Sequence, residues 1–169
     1  MGNGGDIGSV NVADPSDPAS KVNLKNGWLF GLRGTFNQGE HFGHEITYAY
    51  HRTGLRIGPP TTTASGFAIH TVTYGFNLYL TNASARIRPF VQGGGGFGNF
   101  CPPGAGVSRG GCSRKWEFMY GAGVKLRTSE RTLVRFDYRV HESGKPFDLA
   151  GQSGRLRRNE ISIGISYVI

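Results

Sequence analysis

The sequence predicts an all-β fold: an antiparallel, up-and-down transmembrane β-barrel of about eight strands, seven of them clearly readable and the first weak or missing. Three observations carry this. Seven segments alternate apolar and polar residues with a period of two, charged residues stay out of the apolar set, and the links between segments alternate between short and long. At 169 residues, one domain is expected. The 28 glycines argue against a helical bundle, because each costs about 1 kcal/mol in a helix interior relative to alanine. No run approaches the ~20 consecutive apolar residues of a membrane helix. The mean hydropathy of −0.31 does not count against a barrel, whose strands average lipid-facing and lumen-facing residues.

The strands follow in order. Residues 28–37 set Trp28, Phe30, Leu32 and Phe36 against Arg33, Thr35 and Asn37, and residues 42–51 set Phe42, Ile46, Tyr48 and Tyr50 against Glu45, Thr47 and His51. Residues 68–80 offer Val72, Tyr74, Phe76, Leu78 and Leu80 against Thr71, Thr73, Asn77 and Tyr79. Residues 86–100 are glycine-rich, with Ile87, Val91 and Phe97 opposite Arg88 and Gln92. Residues 115–127 alternate Trp116, Phe118, Tyr120 and Val124 with Glu117, Met119, Lys125 and Arg127. Residues 132–141 alternate Val134, Phe136, Tyr138 and Val140 with Arg135, Asp137, Arg139 and His141; residues 158–169 alternate Ile161, Ile163, Ile165 and Tyr167 with Glu160, Ser162 and Ser166.

Two arrangements share this pattern. A soluble barrel would put the apolar set inside, whereas a membrane barrel puts it outside, where a charge near mid-bilayer costs about 2–4 kcal/mol. The bore of eight strands has room only for side chains, so the large aromatic set is expected outside and the small and charged set inside. Short links at 38–41, 81–85 and 129–131 and long ones at 52–66, 101–114 and 142–157 fit short turns on one membrane side and long loops on the other. That placement gives one aromatic girdle of Trp28, Phe30, Tyr48, Tyr50, Trp116, Phe118 and Tyr138, and a second of Phe36, Phe42 and Tyr167. By the same alternation, 13–27 is a loop, and 6–12 is the one candidate for a first strand. It is polar and shorter than the ~9–11 residues that span a bilayer, so the first strand is expected upstream of residue 1. Residues 1–26 are thus read as an N-terminal segment of weak strand or loop, and 27–169 as the barrel. No basic segment with an apolar stretch follows Met1, so a mature or truncated form is expected.

The C-terminal stretch NEISIGISYVI resembles the last strand of outer-membrane barrels, and "RIRPFVQGGGGFGNF" and "LVRFDYRVH" resemble the small OmpA-type outer-membrane β-barrel domain proteins. The resemblance covers 27 to the end. It departs in its last residue, Ile169, where such barrels usually carry Phe. It implies a location in the bacterial outer membrane and a structural or surface-interaction role without catalysis. It also implies a plugged polar lumen, recognition of 159–169 by the barrel assembly machinery, and no cofactor.

Several constellations bear on chemistry. Arg33, Glu45, His51, Arg88, Glu117, Lys125, Arg127, Arg135, Asp137 and Arg139 fall in the lumen set, where neighbouring strands would bring acids and bases into an ion-pair network. The long loops collect Arg109, Arg114, Lys115, Lys145, Arg155, Arg157 and Arg158, suited to the phosphates of outer-membrane lipid including lipopolysaccharide, or simply forming a solvated basic rim. A net charge of +8 fits an anionic partner, but no nucleic-acid-binding motif accompanies it. His141 and Ser143 resemble the His-x-Ser pair of lipid A deacylases, which implies an acyl hydrolase as an alternative. Gly144 stands where that family has Asn, and the carboxylate would have to be Asp148 or Glu160. The run Gly93–Gly98 lacks the Lys-Ser/Thr of a phosphate loop. Cys101 and Cys112, in one loop, fit a disulfide, and no metal-ligand spacing is present. A soluble lipocalin-like ligand-binding barrel is the remaining alternative.

Overall fold

The computed structural model describes residues 6–11, 13–14, 16–58, 62–105, 111–149, 151–152 and 154–168. The strands are β1 (Asp6–Ser9), β2 (Lys21–Leu24), β3 (Trp28–Gln38), β4 (Phe42–Ile57), β5 (Thr62–Tyr79), β6 (Ile87–Cys101), β7 (Ser113–Arg127), β8 (Thr132–Ser143) and β9 (Leu156–Tyr167). All pair antiparallel in one sheet, nearly closed into a barrel, in the order β1-β2-β4-β5-β6-β7-β8-β9. β3 lies below β2 against the same edge of β4: Trp28 pairs Arg52 and Leu24 pairs Leu55. The nine strands therefore occupy eight lanes. The seven segments legible by alternation are β3 to β9.

The faces divide as the membrane arrangement requires. Ile163 is 70% exposed and Phe36 is 70% exposed, whereas Arg135 is 2% and Arg139 is 0% exposed. The inverted, soluble arrangement is excluded by these orientations. At the long-loop end Trp28 meets Tyr50 edge-on, and the Phe97 and Trp116 rings lie 4.0 Å apart. There the Tyr120 hydroxyl donates to Glu142 and the Tyr138 hydroxyl to Asn159, so each ring keeps an apolar body and a polar tip. At the short-turn end Phe42 stacks on Phe76.

The bore also takes some rings. Phe90 and Phe100 are buried inside, against the expectation that the large aromatics point outward, beside Tyr79, which the alternation puts on the inward face. Gly123 makes room for one of them, since a Cβ there would stand 2.6 Å from the Phe90 ring; a Cβ on Gly121 would stand 2.2 Å from the Tyr138 carbonyl oxygen of the neighbouring strand. Gly121→Val should therefore destabilise by about 1–3 kcal/mol through overpacking, read as a lower urea midpoint for unfolding from lipid vesicles.

Two long links are shorter than expected. The β4–β5 ladder runs from Phe42↔Leu78 to Ile57↔Thr62, so most of 52–66 is a protruding hairpin arm with one irregularity between Thr53 and Gly54. Residues 13–27 are likewise not all loop, because Val22 and Leu24 of β2 alternate inward. With Ile7, Phe67, Ile69, Phe100 and Leu156 they form an apolar cluster over the long-loop mouth. Burial of that face, invisible in so short a polar segment, is what orders β1 and β2. Lys145 ties Asp6 to this cap. Burial opposes the charge on Asp6, but donation from Lys145 and from the Gly8 N–H outweighs it and lowers the Asp6 pKa. The tie is accordingly present above the ordinary carboxylate range and lost as pH falls through the lowered value.

Candidate functional site

Polar side chains meet in the lumen in layers. Beneath the cap, Glu117 of β7 accepts from Arg158 of β9 and bonds His141 Nδ1 of β8 at 2.7 Å, while His141 Nε2 lies 3.2 Å from Glu160. The next layer is built around Glu45 of β4. It accepts from Arg135, from Arg139 Nη2 at 2.6 Å and from Asn77 Nδ2 at 3.1 Å. Asp137 accepts from Arg135, from Gln92 Nε2 at 3.1 Å and from Arg33 Nη1 at 2.6 Å. Arg33 also donates to Glu160 and Ser162. Four guanidiniums, Arg33, Arg135, Arg139 and Arg158, thus face four carboxylates, Glu45, Glu117, Asp137 and Glu160.

These contacts follow from strand periodicity. Arg135, Asp137 and Arg139 alternate on β8, so all three enter the bore, and antiparallel pairing sets them beside Lys125, Gly123 and Gly121 of β7. Gly123 leaves the space that the Phe90 ring occupies, with Arg135 over that ring at 4.6 Å.

Arg33, Glu45, Glu117, Arg135, Asp137 and Arg139 come together in these ion pairs. Three other bases are lumenal but are held differently. Lys125 donates to the Tyr79 hydroxyl at 2.8 Å, Arg88 donates to the Glu40 carbonyl and lies over the Tyr79 ring, and Arg127 donates to the Ala83 carbonyl at 2.7 Å. At this end acids are replaced by turn carbonyls and π faces. His51 lies 3.9 Å from Glu160. Arg158 is a correction: expected on the basic rim, it is buried because its position on β9 shares the inward face with Glu160. His141, Glu160 and Arg158 belong to the network. Their period-two spacing with the inward set was the available signal for Arg158.

Of the rim residues, Arg114 and Arg157 are exposed and Arg155 is 69% exposed, 3.6 Å from Glu142. Lys115 bonds Asp148, and Lys145 is drawn into the cap by Asp6. Arg109 lies outside the described residues. Cys101 and Cys112 form a disulfide joining the end of β6 to the start of β7.

His141 and Ser143 both point into the lumen from β8. His141 is occupied by Glu117, and the buried Ser143 hydroxyl has no hydrogen-bond partner among the described residues. Asp148 meets Lys115, whereas Glu160 lies 3.2 Å from His141 Nε2; the Ser143 hydroxyl makes no hydrogen bond to His141. No group of three or more His, Cys, Asp or Glu among the described residues could hold a metal.

An apolar, strand-built exterior around a charged interior defines a membrane-spanning β-barrel. A family model for the outer membrane protein beta-barrel domain matches residues 1–168, and the chain belongs to that family. No curated protein matches the chain.

Proposed function

We propose that the protein is a structural or surface-interaction barrel of the bacterial outer membrane, without catalysis and with a lumen that passes no solute. The observation that supports it is the filled bore: Arg139, fully buried, sits between Glu45 and Asp137 in a network tied to four other strands. Conduction would need these pairs to separate, leaving buried charges without partners. Reconstituted in a planar bilayer, the protein should give no discrete current steps. Steady single-channel steps from the unaltered protein would overturn the reading.

The long-loop end, on this reading the outer one, presents Arg114, Arg155 and Arg157 to anionic lipid headgroups, including the phosphates of lipopolysaccharide, with Lys115 partly engaged by Asp148. The outward row Ile161, Ile163, Ile165 and Tyr167 of β9 serves as the signal for the barrel assembly machinery. Replacing Arg155 and Arg157 together by Glu should weaken binding to lipopolysaccharide-containing vesicles several-fold at low salt and far less at high salt, as exposed charges are screened. The acyl-hydrolase alternative is tested directly. Incubation with lipopolysaccharide should release no fatty acid, and a release abolished by Ser143→Ala would replace the structural reading with the enzymatic one.

A further inference from the structure

A cavity of about 340 Å³ opens at the long-loop end, where the link between β2 and β3 passes over β4. Lys25, Gly27 and Trp28 line it from the link and the start of β3, Arg52 and Gly54 from β4, and Gly66 from β5. The link is held to β4 on both sides of its backbone. The Lys25 N–H donates to the Gly54 carbonyl at 2.9 Å, and the Thr53 hydroxyl donates to the Lys25 carbonyl. Glycine keeps the space open. A Cβ on Gly27 would stand 2.0 Å from the Arg52 carbonyl oxygen, and one on Gly66, whose φ is +95°, would stand 3.3 Å from Arg52 Nη2.

Two cations border this space. Lys25 and Arg52 are exposed, and among the described residues neither lies within ion-pair distance of a carboxylate. Other basic side chains at the same end are engaged: Lys115 meets Asp148, Lys145 meets Asp6, and Arg155 approaches Glu142. Arg52 is nevertheless oriented. Its Nη1 donates to the Tyr50 hydroxyl at 3.1 Å, which leaves Nη2 beside Gly66 on the cavity wall. A guanidinium fork and an ammonium on one cavity are the complement of a phosphate, which takes paired hydrogen bonds from the first and a point charge from the second.

The surroundings say where that phosphate comes from. Trp28 pairs Arg52 in the β3–β4 ladder, and the next outward pairs down the wall are Phe30 with Tyr50 and Leu32 with Tyr48. Trp28, Phe30, Leu32 and Tyr48 are all exposed on the lipid-facing side. Trp and Tyr sit at the level of lipid headgroups, so the cavity opens at headgroup depth with an apolar track leading from it toward mid-bilayer. A free phosphate ion would use only the upper half of this arrangement. We propose that the cavity binds the phosphate of an anionic lipid, whose acyl chains lie along Phe30, Leu32 and Tyr48. The site rests on the membrane-barrel fold and uses neither Arg114, Arg155 nor Arg157. It holds one lipid at a fixed place, whereas exposed loop arginines act through a field that salt screens.

Trp28 is itself the reporter. With Trp116→Phe as background it is the one remaining tryptophan, and lipids with brominated chains quench it on contact. In phosphatidylcholine vesicles holding a minor share of brominated phosphatidylglycerol, that lipid should be enriched around Trp28 at least about fivefold over its share, the factor expected from even one basic residue near an anionic headgroup. Lys25→Gln with Arg52→Gln should remove the enrichment. Quenching of the same variant by brominated phosphatidylcholine should stay unchanged, which shows that the barrel is still inserted. Lys25→Arg should retain the enrichment. Arg155→Glu with Arg157→Glu should also leave it intact, so this site and the loop arginines fail separately. Excess inorganic phosphate should displace little more lipid than chloride at the same ionic strength. The proposal is overturned by absence of enrichment, by enrichment that survives loss of Lys25 and Arg52, by its loss in the Arg155 and Arg157 variant, or by full displacement with inorganic phosphate.

Discussion

Glu45→Ala is expected to cost about 3–5 kcal/mol of stability, because it strips the counter-charge from two buried guanidiniums at once. Glu45 is 3% exposed and holds both Arg135 and Arg139, with Asn77 donating to the same carboxylate. Asp137 remains near both arginines but is already shared with Arg33 and Gln92. Two cations beside one engaged acid would repel one another in a poorly solvated bore. Urea-induced unfolding from lipid vesicles should show the loss as a lowered midpoint with little change in slope. Glu45→Gln should lose less, since an amide still accepts from one arginine. A double variant, Glu45→Ala with Arg139→Ala, should recover part of the stability lost by Glu45→Ala alone, as expected for partners in direct contact. Recovery of nothing would mean that Arg139 is not the partner that suffers.

Ile163→Arg is expected to destabilise by about 2–4 kcal/mol in a bilayer, the cost of a charge on the lipid face near its midplane. Ile163 pairs with Phe136 across the middle of the β8–β9 ladder and is 70% exposed. On a protein surrounded by water, a substitution at so open a position would fall within about 0.5 kcal/mol of neutral. The same change at Tyr167, near the end of β9, should cost about 0–1 kcal/mol, because an arginine there reaches the headgroups. The gradient between these two positions, measured in the same vesicles, separates a lipid-facing row from a merely exposed one.

Much of this protein was legible in its residues. Period-two alternation placed β3 to β9, and the confinement of charge to one set placed Arg33, Glu45, Arg135, Asp137 and Arg139 in one compartment before any coordinate. The pairing partners were not legible in the same way. That Arg33 would reach Asp137, or that Arg158 would bond Glu117, depends on register between strands distant in sequence. The cap was legible only in part: β1 falls within the 6–12 strand candidate, whereas β2, four residues long and too short for a period to register, lies in the stretch 13–27 read as a loop.

The sequence by itself determined which side chains meet lipid and which meet one another, because alternation along a strand is a local property of the pleated backbone and a charge in hydrocarbon is too costly to place by accident. The tertiary structure alone decided which charges pair, that Phe90 and Phe100 turn inward, and that the N-terminal hairpin packs Ile7, Val22 and Leu24 into an apolar cluster at the long-loop end. Those outcomes depend on how the sheet curls and on which distant strands become neighbours, and no single segment carries that information.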